Sequence, residues 1–253
     1  MTFSPSPSDP SSSSNGTKTA TLFSSPEWYL KGYAANIRIR SETVTSVCGS
    51  FKNSDILDIG CGDGSISLPL LKDANRITFL DLSEAMLTAV AGRINSIQQA
   101  SVKFIVGDFM AMPMPTSAFD LVICVGVLAY VSDISAFLSK IFSILRPGGT
   151  LILECTDSSH FLCRMDRIYL DATARFKPRR FETVPHTAHD VLAASEKLHF
   201  TRTHTFRYAY SFPLFWRFTS QHQRYKLIRF VFGTILSQHR QQFGNQCIFI
   251  FQR

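Results

Sequence analysis

The chain has 253 residues, 45% of them apolar, with a formal net charge of +7, six cysteines and seven histidines. That is enough apolar chain for one sizeable core, so one domain with embellishments is expected. No run reaches the length of a membrane span, no early positive charge with a long apolar centre marks a secretory signal, and Cys48, Cys61, Cys124, Cys155, Cys163 and Cys247 show no metal-ligand spacing. Reduced thiols and a cytoplasmic protein are therefore expected, and the positive charge favours an anionic substrate or surface.

Residues 1–22 are rich in Ser, Pro and Thr and nearly free of large apolar side chains. They cannot offset the entropy of ordering, so a disordered tail is expected ahead of one domain spanning 23–253. The pattern predicts a helix from about Pro26 to Val47, carrying Trp28, Tyr29, Tyr33, Arg38 and Arg40; segment 23–50 has the character of a helical lid. Ile56, Leu57 and Ile59 predict a short buried strand that runs into Gly60-Cys61-Gly62-Asp63-Gly64-Ser65. The glycines permit positive φ and close approach of a ligand, and Ser65 is expected to cap a helix over 65–72. A dinucleotide-binding turn would place its third glycine at position 65; here that glycine comes one residue early. Asp58, just before the turn, suits a ligand carrying an ammonium group and would repel a pyrophosphate.

The next strand, Arg76 to Leu80, ends in Asp81, followed by Leu82 and the helix cap Ser83, with Glu84 favourable in the first turn of a helix predicted over 83–99. A carboxylate at the carboxyl end of a second strand is placed to grip two ribose hydroxyls. A third strand, Val102 to Val106, runs into Gly107-Asp108-Phe109, whose carboxylate can accept from an exocyclic adenine amine while Phe109 packs on the ring. Each acid alone would be a solvated turn or a cap. Three of them ending three successive strands beside a glycine turn make a ligand-binding edge. Strands near 119 and 150 flank a helix over 133–145, and the alternation predicts a mostly parallel sheet covered on both faces, with right-handed crossovers gathering the acids at one edge. Helices over 159–175 and, opened by Thr187, over 188–198 follow, then strands Thr201–Tyr210 and Gln246–Phe251 as an antiparallel hairpin.

Asp58-x-Gly60-x-Gly62-x-Gly64, Asp81-x-Ser83-x-x-Met86-Leu87, Gly107-Asp108, Phe119 to Cys124 and Leu145-Arg146-Pro147-Gly148-Gly149-Thr150-Leu151 together resemble the class I S-adenosylmethionine-dependent methyltransferases of small molecules, in order over roughly residues 26–156. The resemblance implies a Rossmann-like α/β fold: a seven-stranded, mostly parallel sheet with helices on both faces, an antiparallel last strand and a helical insert before it. It implies S-adenosyl-L-methionine as cofactor, with Gly60, Cys61 and Gly62 lining its methionine portion, Asp81 at the ribose, Asp108 and Phe109 at adenine, and Asp58, Leu82 and Met86 also among the cofactor-binding residues. The backbone of Cys124 or Val125 would meet the ammonium, and Tyr33 the methionine carboxylate. Many such members read Val-Leu-His-x-Val after the fourth strand, whereas this chain reads Val127-Leu128-Ala129-Tyr130-Val131, so no base is carried over to position 129. Tyr130 and His160 are the candidate catalytic residues. His160 follows the loop Glu154-Cys155-Thr156-Asp157 at the ligand edge and is the candidate proton acceptor. All seven histidines lie after the fifth strand, where the family builds its substrate pocket. His186-x-x-His189 lacks a third ligand at suitable spacing, and no metal is expected.

The segment 157–242 holds the substrate-pocket elements and an insert, Tyr208 to Gln242, in which Phe212, Phe215, Trp216, Phe218, Tyr225 and Phe230 interleave with Arg217, Arg224, Lys226, Arg229 and Arg240. Such a stretch could roof a lipophilic substrate, touch a membrane surface or stack bases; the plainer alternative is a lid packed on the domain with its arginines solvated. No RNA-binding module or Asn-Pro-Pro-aromatic run is present, which disfavours nucleic acid as a partner. The expected function is methyl transfer to oxygen or carbon of a lipophilic small molecule, with anionic acceptors favoured by charge. The alternatives are an RNA or protein methyltransferase and a non-catalytic cofactor-binding scaffold.

Overall fold

The computed structural model describes residues 4–5, 26–73, 75–95, 98–173, 183–209, 219–237 and 243–253. Its strands are β1 (Ser4–Pro5), β2 (Asp55–Ile59), β3 (Arg76–Asp81), β4 (Val102–Val106), β5 (Phe119–Cys124), β6 (Leu145–Thr156), β7 (Thr201–Tyr208) and β8 (Gln246–Gln252). They form one sheet in the order β1-β4-β3-β2-β5-β6-β8-β7, in which only β8 runs antiparallel to its neighbours. Seven strands thus make the Rossmann-like mixed sheet expected, and β1 adds a two-residue bridge to Ile105 and Val106. The rest of the Ser/Pro-rich stretch 1–22 lies outside the described residues. β2 sits between β3 and β5, where the strand order reverses, and that switch point opens a crevice at the carboxyl ends of the strands.

Side chains of β2 alternate between two cores. Leu57 and Ile59 join one with Phe137, Leu138 and Ile141 of the helix α3 (Ile134–Ile144) and Val191 of α5 (Ala188–Lys197). Ile56 joins the other with Ile39 and Val44 of α1 (Pro26–Cys48), Leu87 and Val90 of α2 (Glu84–Ala91), Leu162 of α4 (Phe161–Thr173), and Ile228 and Phe232 of α6 (Gln221–Phe232). A strand apolar on both faces must be covered on both, and these helices do so. Ser83 caps α2, and Thr187 with Asp190 closes a capping box on α5.

Two elements differ from expectation. No α-helix follows the glycine turn: Ser65 caps nothing, and turns lead to a short 3₁₀ segment, Leu68–Asp73. The Asp63 carboxylate competes for the same groups, accepting from the Ser65 amide (3.2 Å) and hydroxyl (2.5 Å) and pairing with Arg93 (2.5 Å). The helix expected over 83–99 stops at Ala91, where the Gly92 amide bonds back to the Thr88 carbonyl.

The helix in the described part of the insert is α6, and it grips α1. Glu42 accepts from Arg229 (2.7 Å), Arg38 (2.8 Å) and the Tyr225 hydroxyl (2.8 Å), with the Arg38 guanidinium 4.0 Å over the Tyr225 ring. Here these two basic side chains serve lid packing. Phe212, Phe215, Trp216, Arg217, Phe218 and Arg240 lie outside the described residues. A second, buried tie holds α1 to the sheet. Arg40 meets Glu154 of β6 through two contacts (2.8 and 2.5 Å), and the Tyr208 hydroxyl lies 2.9 Å from the same carboxylate and 2.6 Å from Asn36. Removing one member leaves a buried charge uncompensated, so Arg40→Met should lower unfolding stability by about 3–5 kcal/mol, and the double variant with Glu154→Leu should regain most of it. Urea unfolding reads both; an unchanged midpoint for Arg40→Met would refute the buried pair.

Candidate functional site

Parallel register brings the ends of the strands level, with Ile59 opposite both Leu80 and Cys124, and Asp81 opposite Val106. The Asp81 carboxylate stands at that edge, partly exposed, with Oδ2 accepting from the Gly62 amide and Oδ1 from the Ser83 amide, each at 2.9 Å. Burial pushes its carboxyl up, and the two amides oppose that shift by favouring the anion. The Leu80 carbonyl accepts from Gly60 (2.7 Å) and Cys61 (3.1 Å), tying the turn to β3.

Gly60 has φ +65°, and a Cβ there would lie 2.3 Å from Val127 Cγ2, so only glycine lets the turn rest against the loop after β5. Gly62, at φ +54°, would meet nothing within 4 Å. The turn is tight on its inner side and open where its backbone borders Asp81. That open backbone beside a fixed carboxylate is the arrangement a nucleoside with a flexible polar arm requires.

The Asp58 carboxylate, by contrast, faces inward. It is 2% exposed and accepts from the Ser67 hydroxyl. Burial raises its carboxyl to about 7, with the charges of Asp81 and Asp63 adding to the rise. Cys61 is also buried, its thiol 3.5 Å from the Gly62 carbonyl and pushed well up by burial, which makes it inert.

Asp108 is partly exposed at the end of β4, with Oδ1 accepting from the Met110 amide (2.8 Å). Phe109 is only 4% exposed and packs edge-on to Phe137 in the core, while Met110 is the exposed side chain of that turn. Lys140 of α3 fixes the loop by donating to the carbonyls of Phe109 (2.6 Å), Met110 (3.1 Å) and Met112 (2.5 Å). Leu82 flanks Asp81 partly exposed, whereas Met86 is buried under α2. Cys124 and Val125 turn their side chains into the interior, leaving backbone at the end of β5. Tyr33 sits at a break in α1, with φ −121° and ψ 15°.

Tyr130 lies partly exposed in the 3₁₀ turn Leu128–Tyr130 after β5, and His160 in the loop after β6. His160 opens α4: its Nδ1 accepts from the Leu162 amide at 3.3 Å, and its ring lies 4.7 Å from Phe161. His186 is buried with Nε2 2.8 Å from the Val131 carbonyl, tying the loop after β5 to the bridge between Asp157 and His186. Among the described residues no group of three or more His, Cys, Asp or Glu could hold a metal ion. The edge thus gathers Gly60, Gly62, Asp81, Leu82 and Asp108 around β2, β3 and β4, with Tyr130 and His160 on the loops after β5 and β6. Sequence reasoning missed Lys140 and the Arg40–Glu154 tie; a lysine on an amphipathic helix gives no sign that it will meet three carbonyls.

The profile of a methyltransferase-domain family matches residues 56–149. Among curated relatives, the malonyl-[acyl-carrier protein] O-methyltransferase of Serratia marcescens is 30% identical over 55% of this chain and 53% of its own. The demethylmenaquinone methyltransferase of Tropheryma whipplei is 29% identical over 48% of this chain and 50% of its own. The chain thus spans about half the length of these relatives. Among solved structures, the magnesium protoporphyrin IX methyltransferase of Synechocystis PCC 6803 superposes with a TM-score of 0.65 over 95% of this chain and 100% of its own, at 16% identity, a likeness of fold. Residues 56–149 thus resemble a methyltransferase domain, and the sheet built around them has the Rossmann-like fold of the solved methyltransferase it superposes on.

Asp58 gives this edge a pH signature. Its carboxyl titrates near 7 in the fold and near 4 in an unfolded chain, so the fold holds the extra proton between those values. The stability it contributes is full below about pH 4 and is lost as pH rises through 7. Asp58→Asn should remove that component, so urea unfolding compared between pH 5 and pH 8, a window bracketing the titration, should show the wild type losing more stability than the variant; equal losses would exclude a protonated Asp58.

Proposed function

We propose that the chain is an S-adenosylmethionine-dependent methyltransferase acting on oxygen or carbon of a lipophilic small molecule, with anionic acceptors favoured by its net charge of +7. One observation carries the reading: the Asp81 carboxylate, held by two amides beside the open backbone at Gly62, with Asp108 at the end of the next strand. Each Asp81 oxygen uses one acceptor direction on an amide and keeps another for a ribose hydroxyl. Asp108 Oδ2 takes the adenine amine. Since the Phe109 ring is in the core, the exposed Met110 side chain covers the base instead. Gly60, Cys61 and Gly62 line the methionine portion with backbone, the carbonyl end of β5 at Cys124 and Val125 meets the ammonium, and Tyr33 closes from the break in α1.

The bound cofactor supplies a sulfonium methyl group, whose in-line transfer disperses positive charge. The protein's task is to hold the acceptor atom about 3 Å from that methyl and to exclude water. A base is needed only where the acceptor must lose a proton. His160 is less suited to that role, because its Nδ1 is engaged with the Leu162 amide at the start of α4. Tyr130, partly exposed on the loop after β5, is then the remaining candidate of the two. The names of the relatives, one an O-methyltransferase of an acyl carrier and one a methyltransferase of a demethylmenaquinone, support a lipophilic or acidic acceptor. A cytoplasmic location belongs to the same proposal; among the described residues no helix is long and apolar enough to cross a membrane.

Transfer of labelled methyl from S-adenosylmethionine to a panel of fatty acids, acyl thioesters and quinols should put label into at least one organic product. With that acceptor, His160→Asn, which can still cap α4, should keep kcat within about tenfold; a loss beyond about a hundredfold would make the imidazole the proton acceptor after all. No transfer to any acceptor by protein that binds the cofactor would favour the scaffold alternative.

A further inference from the structure

The helix α4 is turned the wrong way for a surface helix. At about 100° per residue, Phe161, Met165 and Ile168 fall within an arc of about 60°. They are 53%, 60% and 70% exposed, and Tyr169 beside them is 49% exposed, whereas Leu162, one residue on from Phe161, is 7% exposed and anchors the helix on the core. An ordinary amphipathic helix buries its apolar stripe; this one buries a narrow strip and presents a second apolar stripe outward. Arg164 and Arg167 border that stripe on one side with the exposed Asp171 between them, and neither arginine is ion-paired among the described residues. The sequence continues with Arg175, Lys177, Arg179 and Arg180, so that Phe161 to Phe181 holds six basic and two acidic side chains.

We propose that the outward face of α4 docks on an anionic lipid surface. Apolar side chains enter the boundary between headgroups and acyl chains, while flanking arginines extend their stems along it and set their guanidiniums among phosphates. Charge selects this occupant over a second copy of the chain. A second copy carries the same sequence excess of six basic over two acidic side chains in residues 161–181 and so offers it no opposite charge. A single convex helix face also lacks the concavity that encloses a small molecule. The placement has a use: α4 opens four residues after β6, at the carboxyl edge of the sheet, so docking there would turn that edge toward the bilayer, where lipophilic molecules partition. The inference rests on the exposed face alone and is independent of the cofactor reading, so a failure here leaves binding of S-adenosylhomocysteine unchanged.

The test is co-sedimentation of the full chain with vesicles of phosphatidylcholine alone or with a third of phosphatidylglycerol. Partition should be about tenfold or more higher onto the anionic vesicles and fall with added salt. Met165→Asp combined with Ile168→Asp, and separately Arg164→Glu with Arg167→Glu, should each lower it by about tenfold with unchanged thermal melting. In the unmodified chain, amide exchange over 161–171 should slow when anionic vesicles are added. Absence of wild-type binding at low salt, or equal binding by the Met165→Asp, Ile168→Asp variant, would overturn the proposal. So would vesicle-independent exchange over 161–171, or a dimer in sedimentation velocity that this variant dissolves without any vesicle binding.

Discussion

Two backbone amides closing on the Asp81 carboxylate hold the ligand-binding edge in one piece. One comes from the turn after β2 and the other from the start of α2, so a single side chain sets the spacing of two loops that share no sequence. The carboxylate that both loops depend on is the one that must stay anionic. Two acids this close and this buried cannot both ionise at low cost, and the geometry resolves the conflict by position. Asp81 has amide donors and a view of the crevice; Asp58 has a serine hydroxyl and the interior, and it is the one driven toward protonation. Gly60 is constrained in its turn: any side chain there would strike Val127 and lift the turn off the loop after β5.

The opposite face of the sheet is organised around α1. Arg40 reaches through to Glu154 in the centre of the sheet, and Glu42 collects Arg38, Tyr225 and Arg229 at the surface. A helix fixed at these two points is a firm support for the break at Tyr33, which is where a cover over the cofactor would begin. The loops after β5 and β6 are joined differently: His186 and the Asp157 bridge link them to each other and anchor them in the core, while α4 carries an apolar face outward.

Local chemistry was legible in the chain and long-range pairing was not. Apolar strands ending in acids located β2, β3 and β4 with the correct edge, and Ser83 and Thr187 announced their helices because a cap acts within three residues. Ser65 misled because a second acceptor, Asp63, stood two residues before it and took the groups a helix would have used. Phe109 misled because an aromatic beside an adenine-binding acid and one entering the core look alike until Phe137 is placed opposite. His160 had the right loop, yet its Nδ1 faces the helix it opens. The Arg40–Glu154 pair spans 114 positions, a separation at which neither residue carries any mark of the other.

We propose that Asp81 and the open turn at Gly62 bind the nucleoside half of the cofactor. Calorimetric titration of the wild type and of Asp81→Ala with S-adenosylhomocysteine tests it most directly. The wild type should bind with micromolar affinity, and the variant, its fold intact, with a dissociation constant about thirtyfold or more weaker, roughly 2 kcal/mol. No binding by the wild type, or equal affinity in the two proteins, would contradict it.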